Sequence, residues 1–427
     1  MKLTLCLYTL LLLVLLTPLL RAQDIVGDWQ GTIQTKTGLR VILHVEKVPE
    51  GEWKATLFSI DQSTNEIPVT TIALHGSELV FSLASLNASY KGKLGDTGTS
   101  FAGEWTQGKI YPLNFERATK ATAWPRDATP HTISFVNVEK DVKLEVIDWG
   151  GSGRPLVFLT GLGDNAHVFD RFAPKFIATY HVYGITRRGF GVSSSPPPVT
   201  KNYAADRLGD DFLAVIDALQ LKRPVLVGHS IAGEELSSIG TRYPDKVAGL
   251  IYLDAGNSYA FYDRARGNTT LDALDVKEQL DELVTGPNAK DALAKLLVSL
   301  PQLDKELQDF EKEIAGLPSP PKGPIPEFGP VQAVLSGEQK YTKVNIPVLA
   351  IFASPHNLGS LSQYTPATQA AMTKYDLETT TLQIDAFEAG VPSAHVVRIP
   401  NANHYLYLSN APEVLKEMNS FLDKLPM

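Results

Sequence analysis

The stretch that decides the fold is residues 224–243, which read PVLVGHSIAGEELSSIGTRY. Its first apolar residues predict a buried strand, which ends at Gly228. Ser230 follows at the break, and a helical pattern begins directly after it. A strand, a sharp turn with a serine at its tip and then a helix is an arrangement that presents a serine hydroxyl for nucleophilic attack. Because such a turn brings backbones close together, it needs small residues, and this chain has Ala232 and Gly233 on the helix side.

The composition is that of an ordinary soluble globular protein, with 44% hydrophobic and 20% charged residues in a chain of 427. A chain of this length can form two or three domains. The net charge of −8 and the lack of a lysine or arginine cluster argue against general nucleic-acid binding. The single cysteine is Cys6, so we expect no disulfide, no thiol nucleophile and no cysteine metal site in the rest of the chain.

Residues 1–22 have the pattern of a secretory signal peptide. Lys2 precedes an apolar run over residues 3–20, which Pro18 interrupts, and a small residue, Ala22, follows. The pattern predicts cleavage after Ala22 and a secreted or periplasmic protein. A retained membrane anchor is the alternative, because the run is close to the length that spans a bilayer. No later stretch of the sequence is long and apolar enough to span a membrane.

Residues 24–117 predict a small all-β domain. Short strand-like runs such as residues 41–45 and 79–83 alternate with turns rich in Gly, Asn, Asp and Ser, which is typical of a small barrel or sandwich. A recurring pattern predicts a turn glycine and an inward ring at Gly27-Asp28-Trp29, Gly51-Glu52-Trp53 and Gly103-Glu104-Trp105. The sequence shows no catalytic constellation in this domain, and it does not identify a partner. Two roles are open, a docking module and a folding appendage. A linker rich in Ala, Thr and Pro is predicted over residues 118–131.

Residues 132–427 alternate between strand and helix patterns, which predicts a mostly parallel sheet covered by helices on both faces. The alternation stops at about 257–346, where three helices are predicted, over residues 274–284, 289–300 and 303–314. We expect this insertion to form a helical cap over the carboxyl ends of the strands, because ligands bind there in open α/β sheets.

The chemistry of a serine nucleophile requires a general base, and the base needs an orienting partner. His404 is the candidate base for Ser230, because a histidine in the loop after the last predicted strand can reach across the top of the sheet. The developing oxyanion also needs hydrogen-bond donors. The candidates are the backbone N–H of Ile231, directly after the serine, and that of Leu162, in a glycine-flanked loop. This chemistry requires neither a metal nor an organic cofactor.

From about residue 140 to 427 the chain resembles the α/β-hydrolases. The resemblance rests on four motifs in the family's order, Leu159-Thr160-Gly161-Leu162-Gly163, Arg188-Gly189-Phe190-Gly191, Gly228-His229-Ser230-Ile231-Ala232-Gly233 and Asn403-His404. Two residues depart from the family pattern: Thr160 stands where many members have histidine, and Ala232 replaces the second glycine near the serine. The resemblance implies an α/β-hydrolase fold and a catalytic triad with Ser230 as nucleophile. Dehalogenases and epoxide hydrolases of the family use an aspartate at that position, which argues against those two activities.

The orienting acid is open among three residues. Many family members carry it after the penultimate strand, where this chain has Asn357 and no carboxylate. Some members place it one strand earlier, where this chain has Asp254 at the carboxyl end of a strand. We select Asp254 for this reason, with Asn357 as a neutral orienter and Asp385 as the alternatives.

The motifs together predict a secreted serine hydrolase that cleaves a small or medium carboxylic ester, or a related acyl compound, through an acyl-enzyme. One alternative is a C–C bond hydrolase or a cofactor-free perhydrolase that uses the same triad. Another alternative is a non-catalytic binding protein on a hydrolase scaffold, which the presence of both Ser230 and His404 opposes.

Overall fold

The computed structural model describes residues 24–35, 38–48, 52–60, 66–124, 130–315, 317–318, 329–359, 361 and 364–426. The predicted signal peptide, with Cys6, lies outside these residues. The described chain forms two compact units that divide between Trp124 and Pro130, except that residues 59–60 group with the second. Within the described ranges, none of the helices combines the length and the apolarity needed to cross a membrane.

The first unit is a nine-stranded antiparallel sheet in the form of a half-barrel, which confirms the predicted all-β fold. Its strands are β1 (Gly27–Ile33), β2 (Leu39–Lys47), β3 (Trp53–Ser59), β4 (Ile67–Pro68), β5 (Thr71–His75), β6 (Glu78–Leu83), β7 (Ala88–Leu94), β8 (Ser100–Gln107) and β9 (Lys109–Arg117). The spatial order is β4-β3-β2-β1-β9-β8-β7-β6-β5, so all neighbours except β1 and β9 are also consecutive in the chain.

Alternate residues of these strands fill one core, because successive side chains of a strand point to opposite faces. Trp29 and Trp105, two rings of the recurring pattern, are buried in this core, and Trp53 is partly buried against it. The chain that follows β9 remains bonded to β1, since Gln30 Nε2 donates to the Thr122 carbonyl at 2.9 Å.

The second unit is built on an eight-stranded, mostly parallel sheet, as predicted. Its strands are β10 (Thr132–Glu139), β11 (Val142–Gly150), β12 (Pro155–Leu159), β13 (His181–Ile185), β14 (Val225–His229), β15 (Gly249–Leu253), β16 (Val348–Ala353) and β17 (Ala394–Ile399). The spatial order is β10-β11-β13-β12-β14-β15-β16-β17. Neighbouring strands in the run β13-β12-β14-β15-β16-β17 are parallel. At one edge, β11 is antiparallel to both of its neighbours, β10 and β13.

Helices cover both faces of this sheet. They are α1 (Thr200–Tyr203), α2 (Ala205–Ala218), α3 (Ala232–Arg242), α4 (Thr269–Thr285), α5 (Ala289–Ile314), α6 (Pro330–Leu335), α7 (Pro366–Gly390), α8 (Leu406–Ser409) and α9 (Ala411–Leu422). One core lies under α2, α3 and α7, and the other lies under α9 and two short 3-10 turns at Ala166–Phe169 and Ala173–Phe176. The strands contribute side chains to both cores. On β14, Leu226 lies in the core under α2, α3 and α7, and Val225 and Val227 lie in the core under α9.

The insertion between β15 and β16 carries α4, α5 and α6. The prediction of two helices over residues 289–314 is wrong, because α5 is one helix of 26 residues that runs through Pro301. An interior proline costs about 3 kcal/mol. Leu296 and Leu303 are buried on either side of it, in a cluster with Val276 of α4. Burial of two leucines contributes about 3–6 kcal/mol, which is enough to keep the helix continuous.

The short helix α6 packs against the residues around the serine turn. Its Ala333 and Val334 are buried in one apolar cluster with Phe190 and Ile231, and Leu162 packs against the same cluster. The insertion therefore contacts the carboxyl ends of the strands through α6.

Candidate active site

Ser230 lies at the tip of the turn between β14 and α3, with a φ of 54°. This left-handed conformation is uncommon for a residue other than glycine and is found preferentially at functional sites. The closest approach in the turn is at Gly233, where a Cβ would lie 1.8 Å from the carbonyl oxygen of Ala255. A Cβ on Gly228 would lie 3.1 Å from the methyl group of Ala232. The glycine that this turn requires is therefore Gly233, and Ala232 fits because residue 228 has no side chain.

The structure brings Ser230, His404 and Asp254 into one chain of hydrogen bonds. The Ser230 hydroxyl donates to His404 Nε2 at 2.9 Å, and His404 Nδ1 donates to Asp254 Oδ2 at 2.7 Å. Asp254 directly follows β15 and also has a left-handed φ, of 50°. Its Oδ1 accepts the N–H of Ala353 at 3.0 Å, so both of its oxygens are held.

The two alternative acids have other partners. Asp385 lies on α7, where its exposed carboxylate accepts from Arg398 Nη2 at 2.9 Å. Asn357 Oδ1 accepts the N–H of Gly359 at 3.0 Å. The carboxylate that bonds to His404 is that of Asp254.

A second histidine, His356, bonds to the same carboxylate, and sequence reasoning missed it. His356 follows β16, and its Nε2 lies 2.8 Å from Asp254 Oδ2. Its Nδ1 lies 2.8 Å from Asp376 Oδ1, and its backbone N–H donates to Asp376 Oδ2 at 3.0 Å. The signal that could have found it is its place after the penultimate strand, where the expected carboxylate was absent.

These contacts shift the pKa values of both groups. Burial alone would raise the pKa of Asp254, but the hydrogen bonds from His356 and His404 outweigh burial and lower the pKa to about 2. Burial alone would lower the pKa of His356, but the hydrogen bonds and charges of Asp254 and Asp376 raise it to about 9. Near neutral pH, Asp254 is therefore an anion and His356 a cation.

The loop after β12, which carries Leu162, lies against the serine turn. A Cβ on Gly161 would lie 2.8 Å from His229 Nδ1, and Leu162 packs in the cluster that contains Ile231. The fully buried Arg187 holds this loop, because its guanidinium donates to the Gly161 carbonyl at 3.2 Å and to the Thr160 carbonyl at 2.9 Å. In a trans peptide the C=O and the next N–H point in opposite directions. The Leu162 N–H therefore points away from Arg187.

His229, beside the serine, supports the loop of His404. Its ring is buried, and its Nε2 donates to the His404 carbonyl at 3.1 Å. Burial, together with the charge of His404, lowers the pKa of His229 to about 3, so the ring is neutral. Nearby, the Tyr405 hydroxyl donates to Asp164 Oδ2 at 3.3 Å, and burial raises the pKa of Asp164 to about 6. Through its bond to the His404 carbonyl, the neutral His229 ring holds the loop that carries His404.

Two groups of described residues offer the donor types of a metal site, with donor atoms within 4.8 Å of one another. One consists of Asp254, His356 and His404, whose contacts are given above. The other is buried and consists of His131, His167 and Asp170. In the second group, His167 Nδ1 lies 3.0 Å from Asp170 Oδ2, and its Nε2 lies 3.8 Å from Glu145 Oε1. Each of these histidines has at least one ring nitrogen within 3.9 Å of a carboxylate oxygen, and the Nε2 of His404 faces the Ser230 hydroxyl.

Comparison with known proteins finds relatives for part of the chain. It is 33% identical over 116 residues to a fluoroacetate dehalogenase of Burkholderia sp, which is 27% of this chain and 38% of that protein. It is 34% identical over 107 residues to a serine hydrolase-like protein of Danio rerio, 25% of this chain and 32% of that protein. It is 28% identical over 104 residues to a 2-(acetamidomethylene)succinate hydrolase of Mesorhizobium japonicum, 24% of this chain and 36% of that protein.

The chain thus spans less than two fifths of the length of each of these relatives. The family comparison is broader, because residues 154–411 match the alpha/beta hydrolase fold family. The matched residues include strands β12 to β17 and every residue of the hydrogen-bonded site. The chain therefore belongs to the alpha/beta hydrolase fold family.

Proposed function

We propose that this chain is a serine hydrolase that cleaves a small or medium carboxylic ester, or a related acyl compound. The observation that carries the proposal is the unbroken hydrogen-bond chain from the Ser230 hydroxyl through both nitrogens of His404 to Asp254, at 2.9 and 2.7 Å. A hydroxyl in contact with an imidazole that is itself oriented by an anion is the arrangement that activates a serine nucleophile.

The proposed reaction proceeds through an acyl-enzyme. His404 takes the hydroxyl proton as Ser230 Oγ attacks the carbonyl carbon, and Asp254 stabilises the imidazolium that forms. The backbone N–H groups of Leu162 and Ile231 donate to the oxyanion. His404 then gives the proton to the leaving alcohol, and in the second half-reaction it takes a proton from the water that hydrolyses the acyl-enzyme.

The surroundings of the serine favour an apolar acyl group. Ile231 and Phe190 are buried in the apolar cluster beside the turn, and Leu162, Tyr259 and Val331 pack against that cluster. Such a wall binds hydrocarbon and offers no charge to a polar acyl chain. We therefore expect activity to rise with acyl length over short chains.

The nucleophile itself favours acyl transfer over dehalogenation. A carboxylate that displaces a halide forms an ester, which water can hydrolyse. A serine in the same role would form an ether, which the machinery of this site could not cleave. The resemblance to a fluoroacetate dehalogenase therefore supports the hydrolase scaffold and not that reaction.

The test is reaction with a fluorophosphonate probe, combined with turnover of chromogenic esters of graded acyl length. Ser230→Ala should abolish both signals. Ser299→Ala is the matched control, because Ser299 lies on α5, where it donates to Gln279 at 2.7 Å. Undiminished labelling or turnover in Ser230→Ala would refute the nucleophile, and a wild-type protein inert to both reagents would favour a binding protein.

Export is part of the proposal and rests on the sequence of residues 1–22. We propose that a signal peptidase removes these residues and that the mature chain begins at Gln23. N-terminal sequencing of the protein expressed from the full chain tests this. A chain that retains residues 1–22 and fractionates with membranes would support the alternative of a retained anchor.

A further inference from the structure

The feature that the triad does not use is the bridge formed by His356 between two carboxylates. Its Nε2 faces Asp254 Oδ2 and its Nδ1 faces Asp376 Oδ1, each at 2.8 Å. A carboxylate oxygen is only an acceptor when ionised, so each ring nitrogen must carry a proton. An imidazole with two N–H groups is positively charged. The geometry alone therefore makes His356 a half-buried cation beside the candidate triad acid.

We propose that His356 is a positioning residue of the catalytic machinery, which fixes the Asp254 carboxylate and sets the acidic limit of activity through its positive charge. The proposal rests on the proposed function, since it assigns His356 a role relative to His404 as the base. His356 does not touch the serine, and it acts through Asp254.

Three hydrogen bonds hold the Asp254 carboxylate, and two of them end on the same oxygen. Asp254 Oδ2 accepts from His404 at 2.7 Å and from His356 at 2.8 Å, while Oδ1 accepts the N–H of Ala353 at 3.0 Å. Three donors fix the plane of the carboxylate and prevent its rotation away from His404. Asp376 fixes His356 in turn through both its ring and its backbone N–H.

In the proposed reaction His404 becomes positively charged when it takes the serine proton. The rings of His356 and His404 are 6.3 Å apart between centroids. A positive charge at that distance repels the charge that His404 gains with a proton, so the acidic limit of activity should lie at lower pH with His356 than without it. The charged and titratable groups that face His356 are Asp254 after β15, Asp376 on α7 and His404 after β17. The raised pKa of His356, about 9, agrees with a cation throughout the acidic range.

The experiment measures the rate of fluorophosphonate labelling between pH 4 and pH 9, because this readout requires no natural substrate. His356→Gln should move the midpoint of the acidic limb up by about one to two pH units. Asp376→Asn removes the anion that partly neutralises His356, so it should move the midpoint in the opposite direction by a smaller amount. His395→Gln is the matched control, because the His395 side chain is 61% exposed on β17, and its profile should equal that of the wild type.

The outcomes separate this proposal from the previous one. If the wild type is not labelled, the proposed function fails. If the wild type is labelled and His356→Gln leaves the limb in place or moves it down, the role of His356 is overturned and the triad stands. If His356→Gln does not fold, Asp376→Asn decides: a downward shift supports the proposal, and no shift or an upward shift overturns it.

Discussion

Removal of the Arg187 guanidinium is the perturbation from which the structure predicts the largest change. Arg187 is fully buried, and its Nε donates to Glu235 Oε1 of α3 at 2.5 Å. Its terminal nitrogens donate to the carbonyls of Thr160 and Gly161, in the loop that carries Leu162. Arg187→Met keeps most of the side-chain volume and removes all of these donors.

The expected loss follows from the ion pair. Both side chains of the pair are 0% exposed, so Arg187→Met leaves Glu235 buried without its cation. Breaking a buried pair in this way costs about 3–5 kcal/mol of the free energy of unfolding. Burial already raises the pKa of Glu235, and without Arg187 the pKa rises further. A carboxyl with a raised folded-state pKa costs stability above its unfolded pKa, so the loss should be larger at pH 8 than at pH 5.

Urea denaturation at both pH values measures this loss of stability. The rate of fluorophosphonate labelling measures the effect on the loop that carries Leu162. The control is Arg398→Met, because Arg398 is 37% exposed and pairs at the surface with Asp385 and Glu388, so its loss should stay below about 1 kcal/mol. A double variant, Arg187→Met with Glu235→Leu, should recover most of the stability. Its labelling rate should stay about tenfold or more below wild type, because the loop carbonyls still lack their donor.

Two results would refute this reasoning. The first is a loss below about 1 kcal/mol in Arg187→Met, which would mean that Glu235 needs no cation. The second is a wild-type labelling rate in the double variant, which would mean that Arg187 does not position the loop of Leu162.

Three further predictions concern single residues. Asp254→Asn should lower ester turnover by about 10⁴-fold, and a loss under about tenfold would exclude Asp254 as the orienting acid. Gly233→Ala should cost about 3 kcal/mol in urea denaturation, since its Cβ would lie 1.8 Å from the Ala255 carbonyl oxygen, and an unchanged midpoint would contradict the close approach. Burial alone would lower the pKa of His167, but its hydrogen bonds to the carboxylates of Asp170 and Glu145 raise that pKa to about 9. The stabilisation that protonated His167 contributes is therefore complete below about pH 6.5 and is lost as pH rises through 9. His167→Gln should flatten this part of the wild-type curve of stability against pH.

The sequence predicted the elements that local patterns control. The strand, turn and helix around Ser230 follow from an apolar run and small residues, and the all-β and α/β units follow from the period of the hydrophobic pattern. The predicted break at Pro301 failed, because a local rule was outweighed by contacts between α4 and α5. The burial of Arg187 could not be predicted from local patterns, because a buried guanidinium depends on Glu235, which lies 48 residues away.

The choice of acid shows where pattern reasoning reaches its limit. In the sequence, Asp254 and Asn357 follow strand-like runs, and Asp385 precedes the last one. Their distances from His404 depend on the lateral order of the strands and on which side chain each strand end directs inward. In the structure Asp385 lies in the last turns of α7, and of these three residues only Asp254, in the left-handed turn after β15, bonds to His404.

The sheet order gives a physical reason for the placement of the site residues. Four adjacent strands, β14, β15, β16 and β17, each lead into one of them: Ser230, Asp254, His356 and His404 in that order. An acid after β15 must reach a histidine after β17 across the intervening strand, a lateral distance of about 10 Å at ordinary strand spacing. The strand it crosses supplies the support, because Ala353 at the end of β16 bonds one carboxylate oxygen and His356 bonds the other. Placing the acid one strand early thus leaves a gap after β16, and a cationic histidine held by Asp376 fills it.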